Sequence, residues 1–115
     1  MSVVIYHNPR CSKSRQTLAL IEEKGVVPEV IKYLDTPPDA ETLKSLIQML
    51  GYSSARELMR TKEDLYKDLN LADETSEDAL ISAMVANPKL IERPVVVNNS
   101  KAAMGRPPEA VLDIL

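Results

Sequence analysis

The sequence predicts an α/β fold: a small mixed sheet of four strands covered by helices, with a helical insertion between the second and third strands. Three observations predict it. The first third alternates an apolar run, a helix-forming stretch and a second apolar run; helix-start signals crowd residues 53–87; and the last quarter holds the most β-prone run of the chain, a turn and a helix start. Strands and helices in that order pack as layers around one core.

Val3 to Tyr6 is the first predicted strand, and Ser14 to Lys24 the first helix, closed by Gly25 as the residue beyond the C-cap. Val30 to Tyr33, after Pro28, completes a βαβ unit whose crossover is right-handed. Pro37-Pro38-Asp39 opens an amphipathic helix with Leu43, Leu46, Ile47 and Leu50 on one face and Gly51 as its stop. Ser54-x-x-Glu57, Thr61-x-x-Asp64 and Ser76 then announce short helices, the last ended by Asn87-Pro88. Pro94 leads into the strand Val95-Val96-Val97, and Asn98-Asn99-Ser100 is the turn into a strand from Lys101 to Met104. Pro107-Pro108-Glu109 starts a terminal helix through Val111, Leu112 and Ile114, which ends still apolar, as a shortened chain or a packed end would. This order is the thioredoxin pattern, read as one domain over residues 1–115 with the helical insertion at about 39–87.

Composition narrows the function classes. With 17 acidic against 14 basic residues and no long Lys/Arg run, the chain has no stripe for a polyanion, so nucleic acid is not an expected partner. No signal segment and no apolar stretch of membrane-spanning length is seen, so no membrane is expected and the cytoplasm is the expected compartment. Phe and Trp are absent, which leaves Leu, Ile, Val, Met and four tyrosines to fill the core.

One cysteine, Cys11, excludes an intrachain disulfide. It lies on a strand-to-helix turn, His7-Asn8-Pro9-Arg10-Cys11, among the cations Arg10, Lys13 and Arg15. Unpaired N–H groups and the positive end of a helix dipole there pull a thiol below its free pKa of about 8.5. The alternative is an inert core cysteine, since cysteine is among the most buried residue types. If Cys11 is a reactive thiol, an external thiol must resolve it.

Three arginines beside predicted connections could activate it: Arg60, Arg93 and Arg106. Arg93 precedes Pro94 at the entrance to a strand that the fold brings opposite Cys11, and Arg106 follows Gly105 at the neighbouring end of the hairpin. An arginine fork donates two parallel hydrogen bonds to an oxyanion and keeps its charge at any pH, so a thiolate among arginines implies an anionic electrophile. Arg60 also reads as a favourable charge at a helix C-terminus, and Arg56 and Arg10 as solvated. His7 is either a general base near Cys11 or a ring that packs and hydrogen-bonds in the turn. Ser12 and Ser14 read as helix caps, and Asn8 as a turn former whose amide could meet the thiolate or its ligand. One His and one Cys provide no zinc ligand set.

The stretch His7 to Arg15, Tyr33-Leu34 with Pro37-Pro38, Arg60, Ile91 to Val97 and Gly105-Arg106-Pro107 together resemble the glutathione/glutaredoxin-coupled arsenate reductase family over nearly the whole chain. The resemblance implies a thioredoxin-like fold in which Cys11 attacks arsenate and Arg60, Arg93 and Arg106 bind the oxyanion. Glutathione then attacks the adduct as co-substrate, glutaredoxin resolves the product and arsenite leaves; no bound cofactor is implied. His7 matches a family position near the thiol, and Pro94 matches a cis proline that shapes the anion-binding loop. Lys13 and the short C-terminus depart from the family pattern. Two rivals share the fold: a thiol reductase acting on another substrate, and a Spx-like regulator that binds RNA polymerase. The regulator class reads redox state through a Cys-x-x-Cys pair, whose second position here is Ser14.

Overall fold

The computed structural model describes residues 3–115. It forms two compact units: the segments up to Thr36 and from Arg93 onward make one, and Pro37–Glu92 the other. The insertion thus runs wider than the 39–87 read from the sequence. Its helix signals mark only helices, while the residues that enter and leave fold with them.

In the first unit β1 (Val3–His7), α1 (Ser12–Glu23), β2 (Glu29–Lys32), β3 (Val95–Asn98) and β4 (Lys101–Met104) are followed by a 3-10 helix over Pro108–Ile114. The sheet order is β2-β1-β3-β4. β1 pairs in parallel with β2, Ile5 opposite Val30, and antiparallel with β3, Ile5 opposite Val96; β3 and β4 form the hairpin. The C-terminal ends of β1 and β2 and the start of β3 therefore share one edge of the sheet. Val3, Ile5, Ile21, Val96 and Val111 form the core, with Leu18, Val26, Ala103, Ile114 and Leu115 packed against it. Burial of each large aliphatic side chain contributes about 1.5–3 kcal/mol. The apolar end of the chain is a packed one.

α1 stops where the sequence predicts. Gly25 has φ +78°, its N–H donates to Glu22 O (3.0 Å), and the Val26 N–H reaches Ile21 O (3.4 Å). A left-handed residue closing the last turn in this way is a task for glycine. The start of α1 differs: it begins at Ser12, with Cys11 as N-cap, so neither Ser12 nor Ser14 is the cap. The hairpin turn is also tighter than predicted. Asn98 belongs to β3, where its amide donates to Ile114 O (2.6 Å), and Asn99 with φ +60° and Ser100 make the turn.

The second unit is helical: α2 (Ala40–Met49), α3 (Asp64–Asp68) and α4 (Glu77–Ala86), with 3-10 turns at Ala55–Leu58, Leu71–Asp73 and Pro88–Leu90. Asp39 caps α2 by accepting the Thr42 N–H (2.8 Å), Ser54 and Glu57 form a capping box, and Ser76 caps α4 through the Ala79 N–H (3.2 Å). Such caps satisfy N–H groups left without helical partners. Leu43, Leu46, Leu58, Leu80, Met84 and Leu90 are fully or almost fully buried here. The Thr61 signal does not cap α3, whose N-cap is Glu63; Glu63 instead pairs with Arg60 and Lys89.

Candidate active site

β1 delivers the chain to the sheet edge, and the turn after it is tied at every step. The Cys11 N–H donates to Asn8 O (3.0 Å), the Arg10 N–H to Asn8 Oδ1 (3.0 Å), and the Asn8 N–H to Ser14 Oγ (3.0 Å). Arg15 Nη1 clamps the turn from outside through Pro9 O (2.9 Å). Asn8 is thus a turn former, with both its carbonyl and its side chain engaged inside the loop. Ser14 Oγ also lies 2.7 Å from His7 Nδ1. That oxygen accepts the Asn8 N–H and shares one further proton with Nδ1, donated by the hydroxyl or by the ring according to the ring's tautomer. Burial, followed by the charges of Lys32 and Arg15, holds His7 below the ordinary histidine value, which matches a neutral ring.

Cys11 is 9 % exposed at the N-cap of a 12-residue helix. Burial pushes its thiol up. That push is outweighed by the Ser14 N–H, the Arg93 charge, the Lys13 N–H and a hydrogen bond from the Arg93 side chain, so the thiol lies below its ordinary value. The sulfur is a helix-start thiol whose thiolate form is favoured by the guanidinium of Arg93.

Arg93 is aimed by its loop. The Arg93-Pro94 and Arg106-Pro107 bonds are both cis, so Pro94 is the cis proline that the resemblance implies. The Gly105 N–H donates to Pro94 O (2.9 Å), and Arg106 Nη1 donates to Arg93 O (3.1 Å). Arg106 therefore braces the loop that carries Arg93. Gly105 has a steric reason to be glycine: a Cβ there would lie 2.6 Å from Thr17 Oγ1 and 2.7 Å from Pro94 Cγ. Close passage of the loop over α1 needs that bare position. Thr17, fully buried, donates to Lys13 O (2.7 Å) and faces Gly105 O at 3.4 Å. Sequence reading passed over both Thr17 and Lys32. A Thr within a helix and a Lys at a strand end give no local signal of their tertiary partners.

Arg60 belongs to the helical unit. Its guanidinium pairs with Glu63 (2.9 Å), and its N–H donates to Leu90 O (2.7 Å). Arg56, read as solvated, is instead a tie: it binds the Tyr66 hydroxyl and the carbonyls of Leu71 and Glu74. Arg10 is exposed, as expected. Among the described residues no group of three or more His, Cys, Asp and Glu is placed to hold a metal ion, and no helix is long and apolar enough to cross a membrane.

A cysteine at a helix start, with Arg93 lowering its thiol pKa and a cis-proline loop preceding β3, defines a thioredoxin-like thiol protein. Comparison with known proteins is more specific. The ArsC family matches residues 6–114, and the chain belongs to that family. A solved arsenate reductase from Vibrio cholerae superposes with a TM-score of 0.98 at 63% identity, covering 100% of this chain and 98% of that one. An arsenate reductase of Neisseria meningitidis is 53% identical over 114 residues, covering 98% of this chain and 97% of its own length. At 68% identity over 98% of this chain and 96% of its own length stands an Escherichia coli K12 protein described as uncharacterized protein YfgD.

Proposed function

We propose that this protein is a cytoplasmic arsenate reductase that draws its electrons from glutathione and glutaredoxin. The observation that supports this most is the double action of Arg93 on Cys11, as charge and as hydrogen-bond donor. A guanidinium that favours the thiolate can also hold an arsenate oxygen beside it.

The Cys11 thiolate attacks arsenic(V), forming an S–As bond while one oxygen leaves as water after taking up protons. Arg93 orients the oxyanion, and Arg106 supports it from the adjoining loop; Arg60 is assigned an oxyanion role on the family motif alone. A glutathione thiolate then attacks the Cys11 sulfur. A disulfide forms, the S–As bond breaks with its electron pair on arsenic, and arsenite leaves. Glutaredoxin reduces the Cys11–glutathione disulfide by exchange, which restores the thiolate. With one cysteine in the chain, the second thiol has to come from outside.

Arsenate-dependent NADPH oxidation with glutathione, glutaredoxin and glutathione reductase tests the proposal. Turnover should vanish in Cys11→Ser, and intact-mass analysis should find glutathione on Cys11. Equal turnover with thioredoxin replacing glutaredoxin would contradict the scheme.

A further inference from the structure

A groove of about 300 Å³ lies against the turn that leads to Cys11. One wall is that turn, His7 to Arg10; the other is the end of β2 and the residues after it, Lys32, Leu34 and Asp35. Arg93, which acts on the sulfur, precedes β3, whereas this groove is built from β2, and the two strands flank β1 on opposite sides. The turn that leads to Cys11 thus has an open groove on its β2 flank, while Arg93 lies on the β3 flank. The volume is at the lower end of small-ligand pockets, about 300–1,000 Å³.

The lining has a definite charge pattern. Lys32 and Arg10 are exposed cations, Asp35 is an exposed carboxylate, and Leu34 keeps 43% of its surface exposed as an apolar rest. The ionisation of His7 registers the Lys32 charge independently, because that charge helps hold the ring neutral. Two positive groups, one negative group and an apolar side chain complement a small molecule with two carboxylates, one ammonium and a short apolar stem.

We infer that this groove is the binding site for the external thiol, glutathione: its carboxylates face Lys32 and Arg10, its ammonium faces Asp35, and its cysteinyl portion lies along Leu34 toward Cys11. The inference rests on the thiol-reductase reading above. It divides the sheet edge between two reactants, the oxyanion on the β3 side and the electron donor on the β2 side.

The test uses S-methylglutathione, which keeps the charged groups but has no thiol to react. Titrated into isotope-labelled protein, it should shift the amide signals of Asn8, Arg10, Leu34 and Asp35. Lys32→Glu should weaken the binding by about three- to tenfold, the scale of exposed ion pairs broken and reversed, and Lys32→Gln by less. In the coupled assay Lys32→Glu should raise the KM for glutathione by a similar factor while kcat moves less than about twofold, the signature of lost binding. Inorganic phosphate that reproduced the same shifts would make the groove a simple anion site and overturn the inference, as would shifts confined to the β3–β4 side. The two proposals fail separately. Binding in the groove without arsenate turnover would sink the proposed function alone; arsenate turnover with an unchanged glutathione KM in Lys32→Glu would sink the groove alone.

Discussion

Arg93 in the sheet unit and Arg56 in the helical unit are both partly buried guanidinium groups, and they have different partners. Arg56 meets two backbone carbonyls and a tyrosine hydroxyl, so it fastens Leu71 and Glu74 to the 3-10 turn at Ala55–Leu58. Arg93 meets an ionisable sulfur at a helix start, so its charge lowers the pKa of that thiol. An arginine's chemistry is set by its acceptors: carbonyls make it a tie, a nucleophile makes it an activator. Arg60 shares features of both, since its fork faces the Glu63 carboxylate.

Removing the fork from the sulfur should have the largest effect. In Arg93→Ala the Cys11 pKa should rise and arsenate turnover should fall on the order of a hundredfold, as when a transition-state donor is lost. Arg93→Lys keeps the charge without the fork and should fall between. Iodoacetamide rates against pH report the thiol, and the coupled assay reports turnover; a variant that alkylates and turns over like the parent would erase the distinction between the two arginines.

Arg56→Ala should do the opposite. It leaves three acceptors short of a donor and should cost about 1–3 kcal/mol in urea unfolding, with Cys11 alkylation unchanged. A shifted thiol pKa in this variant would show that Arg56 is more than a tie.

Gly105→Ala tests how the loop is held. Its new Cβ meets Thr17 and Pro94, a misfit that typically costs about 1–3 kcal/mol. Because the strain falls on the loop carrying Arg93, the thiol pKa should move up together with the loss of stability. Loss of stability with an unmoved pKa would detach Gly105 from the site.

The smallest effect concerns His7. Its folded pKa is lowered, so the unfolded chain binds the proton more readily and the folded state is favoured at higher pH. This contribution is complete above the ordinary value of 6.5 and is lost as pH falls from there through the lowered folded value. Urea midpoints across that window should decline for the parent and decline less for His7→Gln. Identical pH profiles would place the ring outside the linkage.

The two units also differ in how much could be read from the chain. Asp39, Ser54, Glu57 and Ser76 act as the caps their spacing predicts, and Gly25 and Gly51 end their helices at positive φ, because each contact lies within a few residues. Thr61 fails as a cap because the helix starts later, with Glu63 at the N-cap position and its carboxylate paired with Arg60 and Lys89. Ser14 fails because α1 starts two residues earlier, at Ser12, and its hydroxyl is engaged instead with His7 Nδ1 and the Asn8 N–H. Cys11 was legible as a helix-start thiol, whereas Arg56 was misread, because its carbonyl partners carry no signature in the sequence.

The sequence by itself determined the element order, the caps and breakers that bound the helices, and a chemistry limited to one thiol. These follow from hydrophobic periodicity, from glycine and proline geometry and from the cysteine count, all of which are local or compositional. Tertiary structure alone decided that Arg93 reaches Cys11, that Gly105 passes bare over Thr17, that Ser14 links the turn to His7, and that Lys32 charges a groove on the opposite flank. Each of those joins separate elements. Such contacts form only once the sheet has placed the ends of β1 and β2 and the start of β3 along one edge.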